Sequence, residues 1–121
     1  MCSSDLAGLL AAPGTRPDVL ATVRDAMAAL DVEGYAQAVR MLASGDLPAD
    51  LAAIRNPILV INGTADTITP ASAAETLVAD LARDASREPP RLELVEDAGH
   101  AVSIEQPRRV AALISTFLEA P

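Results

Sequence analysis

A chain of 121 residues holds one modest domain and argues against a multidomain enzyme. Half of its residues are hydrophobic, but 25 of these are Ala; Leu, Ile, Val and Phe number only 31, enough to escape the disordered class with a lean core. Nine cations, all Arg, face 17 acids, and a net charge of −8 with one Tyr, one Phe and no Trp speaks against nucleic acid and anionic membrane surfaces as partners.

The chain opens on Met1-Cys2-Ser3-Ser4-Asp5-Leu6, which lacks the basic n-region and apolar stretch of a signal peptide. Back-translated, these residues resemble the end of a widely used sequencing adapter. Residues 1–6 are therefore expected to be adapter sequence joined to a gene whose 5′ half was lost. The abundance of Ala, and Arg in place of Lys, follow the codon usage of a GC-rich bacterial genome. Cys2 is the single cysteine, so no internal disulfide or Cys-based zinc site forms, which suits a reducing cytoplasm. No apolar run approaches the ~18 residues that a membrane span needs.

To about residue 55 the pattern is helical. Pro17-Asp18-Val19-Leu20 opens a helix to Leu30, with Pro in the first turn, where its missing N–H costs nothing. Val19, Val23, Met27 and Leu30 share one stripe at helical spacing. Asp31 is a candidate cap for a second helix with Tyr35, Val39 and Leu42 on its apolar stripe. Gly45 stands where a left-handed C-terminal residue is wanted. Asp46 is a candidate cap for a short third turn from Leu47 to Ile54.

The rhythm then changes. Pro57-Ile58-Leu59-Val60-Ile61-Asn62 is a continuous apolar run bounded by Pro and Gly, the pattern of a parallel strand buried on both faces. Residues 71–83 predict an amphipathic helix with Leu77, Val78 and Leu81 on its apolar stripe. A polar loop from Arg83 to Pro90 follows. Arg91-Leu92-Glu93-Leu94-Val95-Glu96 alternates as a half-exposed strand near an edge. A closing helix starts near Pro107 and buries Val110, Leu113, Ile114 and Phe117. Strand, helix, strand, helix implies an α/β fold with parallel strands joined by crossovers. Two such strands do not make a stable sheet alone.

Chemistry is expected at the carboxyl ends of the strands, where open α/β sheets bind ligands. Gly63-Thr64-Ala65-Asp66 follows the first strand and Thr67-Ile68-Thr69-Pro70 leads into the next helix. Ala98-Gly99-His100 follows the second, before Glu105-Gln106-Pro107. Taken singly, Asp66 reads as a turn or cap residue and His100 as a surface or satisfied core group. Taken together, an Asp and a His on adjacent strand ends can meet, the carboxylate fixing the imidazole tautomer. Glu105 reads as a helix-entry acid favoured by the dipole, and Thr69-Pro70 as a helix start. Asn62 either supports the Asp66 turn or merely ends the strand, and Tyr35 reads as core rather than pocket lining. No His, Cys or Asp cluster has metal spacing and no Gly-rich phosphate loop follows a strand, so no metal or cofactor is expected.

The run PILVINGTADTITP resembles the seventh-strand segment of α/β-hydrolase fold enzymes, where a Gly-x-x-Asp turn supplies the triad acid. VEDAGHAVSIEQPRRVAALISTFL is similar to their last strand, catalytic His loop and closing helix. ALDVEGYAQAVRMLASGDLPADLAAIRNP is similar to the last cap helices and the return to the core. The resemblance covers about residues 17–119. It leans, through residues 29–47, toward the 3-oxoadipate enol-lactonase and carbon–carbon hydrolase branch. It implies Asp66 as triad acid and His100 as general base, in the family order Ser…Asp…His. It also divides the chain into a helical cap-like segment, 7–55, and the C-terminal part of the core, 56–121.

One departure is decisive. The nucleophile elbow, Gly-x-Ser-x-Gly, is absent: none of Ser3, Ser4, Ser44, Ser72, Ser86, Ser103 and Ser115 stands between the required glycines. An acid and a base without a nucleophile form no acyl-enzyme. The 33 residues between Asp66 and His100 are slightly many for the family, and the Ser86–Pro90 loop would absorb the excess. The expectation is thus the C-terminal part of a serine-type hydrolase, cut from its nucleophile and acting in the parent on a small ester- or lactone-like substrate. A haloalkane dehalogenase would instead place Asp at the elbow. The alternative is a non-catalytic binding or assembly module, a homo-oligomer or one whose exposed sheet edge pairs with a partner.

Overall fold

The computed structural model describes residues 3–45, 51 and 53–120. Cys2, Asp46 and most of the turn predicted from Leu47 lie outside the described residues. Two helices come first, α1 (Ser3–Leu10) and α2 (Pro17–Ala28), packed on each other. Ala7 of α1, Ala11 and Ala12 just beyond its end, and Val23 of α2 are buried. Pro17 begins α2 as predicted, and its stripe is buried at Val23 and half-buried at Val19 and Met27. Leu30 lies beyond the end of α2 and is exposed, because the helix stops before the stripe's last position.

Helix α3 (Val32–Ser44) is capped by Asp31, whose carboxylate accepts the Gly34 N–H at 2.7 Å, satisfying one of the orphan donors of the first turn. Two expectations fail here. Gly45 is extended, at φ −71° and ψ 142°, not left-handed; its N–H bonds the Met41 carbonyl without a left-handed turn. The stripe of Tyr35, Val39 and Leu42 is exposed (59, 47 and 77 %), and α3 buries no residue.

Strand β1 (Leu59–Gly63) pairs in parallel with β2 (Arg91–Val95), in a register running from Leu59 opposite Arg91 to Gly63 opposite Val95. Parallel neighbours require a crossover, which α4 (Ala71–Leu81) supplies. Helix α4 packs on both strands and buries Ala74 and Leu81, and it stops two residues short of the predicted end. Burial of β1 on both faces is not observed. Leu59 to Asn62 are half-buried, in a sheet that has two strands among the described residues.

After β2 comes one turn of helix, α5 (Val102–Glu105), and then α6 (Pro107–Glu119), which reaches back to β1. Val110, Leu113 and Phe117 are half-buried, whereas Ile114, off the centre of the stripe, is 43 % exposed. The loop between α4 and β2 is less solvated than its polarity predicts. The Arg87 side chain is buried, bonded to Asp84 Oδ2 at 3.2 Å and to the Leu51 carbonyl at 3.1 Å. No described helix is long and apolar enough to cross a membrane.

Candidate active site

The register of the two strands ends both at one level, and the loops that leave them interlock. The Thr64 N–H donates to the Val95 carbonyl at 3.0 Å, and the Ala65 N–H to the Ala98 carbonyl at 2.9 Å. In return the Asp97 N–H donates to Thr64 Oγ1 at 3.2 Å. Asp97 takes the left-handed conformation, with φ 55°, to turn the chain after β2, a region that Asp tolerates better than most residues. Gly63 is required by proximity: a Cβ there would lie 2.2 Å from the Ala98 carbonyl oxygen. Gly99 is required likewise, since its Cβ would lie 2.7 Å from both the Ala11 carbonyl carbon and the Ala12 nitrogen. Both obstacles are backbone, so no rotamer change relieves them.

This interlock brings Asp66 and His100 together. Asp66 Oδ1 accepts the N–H groups of Ile68 at 2.8 Å and Thr69 at 2.9 Å, an arrangement by which Asp closes a turn. Asp66 Oδ2 accepts the Thr69 hydroxyl at 2.8 Å and lies 2.9 Å from His100 Nδ1. The Asp66 side chain is 3 % exposed and that of His100 39 %. Burial pushes the Asp66 carboxyl up, but four bonds to its charged form outweigh it, from the Thr69 N–H, His100, the Thr69 hydroxyl and the Ile68 N–H. They hold it at about 2, below the usual 3.8.

An ionised carboxylate can only accept, so His100 Nδ1 carries the proton that points at Asp66. In the neutral ring Nε2 is then unprotonated and basic. The pair can therefore take a proton at Nε2 and stabilise the resulting imidazolium through Asp66.

Three further residues complete the cluster. Asn62, which the sequence left open, supports the turn: its Nδ2 donates to the carbonyls of Gly63 at 3.0 Å and Thr69 at 3.1 Å. Thr69 is more than the start of a helix, for its hydroxyl bonds Asp66 and stands 3.2 Å from His100 Nδ1. Its position three residues after Asp66 is the signal that could have found it. Glu105 is more than a helix-entry acid, since its carboxylate accepts bonds from Ala12, Thr15 and Gly99. Nothing in the local sequence marks a bond to residues 90 and 93 positions away. Tyr35 remains exposed on α3.

A groove of about 420 Å³ opens between the Pro13–Arg16 turn and Asp97, Glu105 and Gln106; neither Asp66 nor His100 lines it. Among the described residues no three His, Cys, Asp or Glu side chains are gathered so as to hold a metal.

The model of the alpha/beta hydrolase family matches residues 4–113. Among curated proteins, 3-oxoadipate enol-lactonase 1 of Acinetobacter baylyi is 33 % identical over 88 residues, which are 73 % of this chain and 30 % of the enol-lactonase. Among solved structures, a thermophilic esterase from Thermogutta terrifontis, determined with malate bound, aligns with a TM-score of 0.78 and 28 % identity. That alignment covers 96 % of this chain and 42 % of the esterase. The chain thus spans less than half the length of either protein.

Proposed function

The chain belongs to the alpha/beta hydrolase family, and on that premise we propose that it carries the acid and base of a serine-type hydrolase. The observation that carries this reading is the 2.9 Å contact of Asp66 Oδ2 with His100 Nδ1 at the carboxyl ends of neighbouring parallel strands. In this reading His100 Nε2 takes the proton of a serine hydroxyl as that oxygen attacks the carbonyl carbon of an ester or lactone. Asp66 stabilises the imidazolium, which then protonates the leaving alkoxide. Water attacks the acyl-enzyme in a second, mirrored step and restores the serine. The similarity to an enol-lactonase and an esterase supports a carbonyl–oxygen bond as the one broken. In this reading the serine and the oxyanion hole are supplied from outside these 121 residues, a reading supported by their lack of a Gly-x-Ser-x-Gly.

The test has two arms. Alone, the chain is expected to hydrolyse a p-nitrophenyl ester no faster than background. Joined to the coding sequence upstream in the source genome, it is expected to gain turnover that His100→Ala abolishes and Asp66→Asn lowers by about 10⁴-fold. Turnover by the chain alone that disappears in His100→Ala would show the nucleophile to be within it. Turnover of the joined protein that survives His100→Ala would overturn the assignment of the base.

A further inference from the structure

Glu105 ties the Ala12–Thr15 turn, 90 to 93 positions away, to the nearby Gly99. Its Oε1 accepts the Ala12 N–H at 2.7 Å and the Thr15 hydroxyl at 2.8 Å; its Oε2 accepts the Gly99 N–H at 2.8 Å. The Ala12 and Gly99 N–H groups can only donate, whereas the Thr15 hydroxyl shares its one proton between Glu105 Oε1 and the Ala12 carbonyl, also at 2.8 Å. With an obligate donor facing each oxygen, the site asks for a group that accepts at both, and an ionised carboxylate is the side chain that does so. A Gln would turn an NH₂ toward at least one of these donors. The carboxylate works beside a backbone contact that is already tight: Gly99 lies against Ala11 and Ala12, and the Ala101 N–H donates to the Leu10 carbonyl at 2.8 Å.

Gly99 immediately precedes His100. Its amide and the Ala101 amide are both tied to other segments, so the backbone on either side of His100 is fixed. We infer that Glu105 is a positioning residue for the base, acting through the Gly99 N–H to hold His100 Nδ1 against Asp66 while the Ala12–Thr15 turn is docked by the other oxygen. This rests on the reading of Asp66 and His100 as acid and base. Glu105 itself touches neither reacting atoms nor substrate.

His100 is the chain's one histidine, so its ring signals are assigned without ambiguity. In the unaltered chain, ring ¹⁵N shifts should show the Nδ1–H tautomer at neutral pH. A coupling across the hydrogen bond between the Gly99 amide and the Glu105 carboxyl carbon should be detectable. In Glu105→Gln, exchange of the Gly99 amide should rise at least tenfold and the ring should become a mixture of tautomers. In Thr15→Ala, which leaves the Gly99 bond intact, the tautomer should stay as in the unaltered chain.

An unchanged tautomer in folded Glu105→Gln would overturn the inference, leaving a clamp without influence on the base. A tautomer change of the same size in Thr15→Ala would overturn it too, because packing of the Ala12–Thr15 turn would then set the ring. If Glu105→Gln does not fold, the unaltered chain decides, since absence of the cross-bond coupling removes the contact on which the inference stands. None of these readouts needs turnover. A Glu105 effect in a joined protein that fails to hydrolyse esters keeps the clamp and sinks the hydrolase reading, and the converse result does the reverse.

Discussion

Asp66→Asn separates the charge of the acid from its shape. The amide oxygen can keep the bonds from the Ile68 and Thr69 N–H groups, so the turn closes as before. The NH₂ group, however, now faces His100 Nδ1 and can only donate, which forces the ring proton to Nε2 and removes its basicity. The native carboxyl is held at about 2 against 3.8 for an unperturbed Asp, a difference worth on the order of 2 kcal/mol of stability at neutral pH. The folded-state value is the lower one, so the unfolded chain takes up the proton first as acid is added. This stability is therefore complete above about pH 4 and is lost as the pH falls through about 2. Half-buried Asp84 is also held at about 2, by the Ser86 hydroxyl and N–H first and then Arg87, and it adds acid sensitivity to both proteins alike. The measurement is accordingly a difference: urea unfolding of the native chain and the variant at pH 7, 4, 3 and 2. The native chain should lead by about 2 kcal/mol at pH 7, and the lead should shrink toward zero at pH 2. A lead that is the same at every pH would refute the charge-based account of the pair.

Thr69→Val removes the hydroxyl that Asp66 Oδ2 accepts, and carbon-detected NMR titration should find the Asp66 carboxyl moved up toward its ordinary value. Gly63→Ala puts a methyl 2.2 Å from the Ala98 carbonyl oxygen; a loss of about 3 kcal/mol is expected in urea unfolding, with Asp66 and His100 pulled apart. Asp31→Ala should cost about 1 kcal/mol through its lost cap bond and should leave the His100 ring signals in place. Leu42→Gln, at a position 77 % exposed, should change stability by less than about 0.5 kcal/mol despite replacing a large apolar side chain.

Much of the fold was legible because its signals are local. Pro17, Asp31, the apolar run into Gly63 and the alternation after Pro90 each state an element boundary within a few residues of where it falls. The meeting of Asp66 and His100 was legible because parallel strands in register place their carboxyl ends side by side. The burial expectations that failed have a common cause. Apolar periodicity at Tyr35, Val39, Leu42 and Leu59 to Asn62 predicts a buried face but not what buries it, and the described residues supply little cover for either. The role of Glu105 was hidden for the opposite reason: its partners Ala12 and Thr15, 93 and 90 positions away, are set by tertiary packing, to which sequence spacing is blind.

Gly63 and Gly99 make the site a stack of bare main chain, in which the end of β1 rests on the Ala98–Gly99 peptides and Gly99 in turn rests on Ala11 and Ala12. Side chains between segments act as springs, absorbing a shift by turning about χ1. No such spring separates these three layers, so a displacement of the Ala11–Ala12 peptide passes to the His100 loop, and on to the Asp66 turn, nearly undiminished. Substitutions on α1 that move its C-terminal end by a fraction of an ångström should therefore register at the Asp66–His100 contact more strongly than equal shifts of α4, which packs on both strands and buries the rotatable side chain of Leu81.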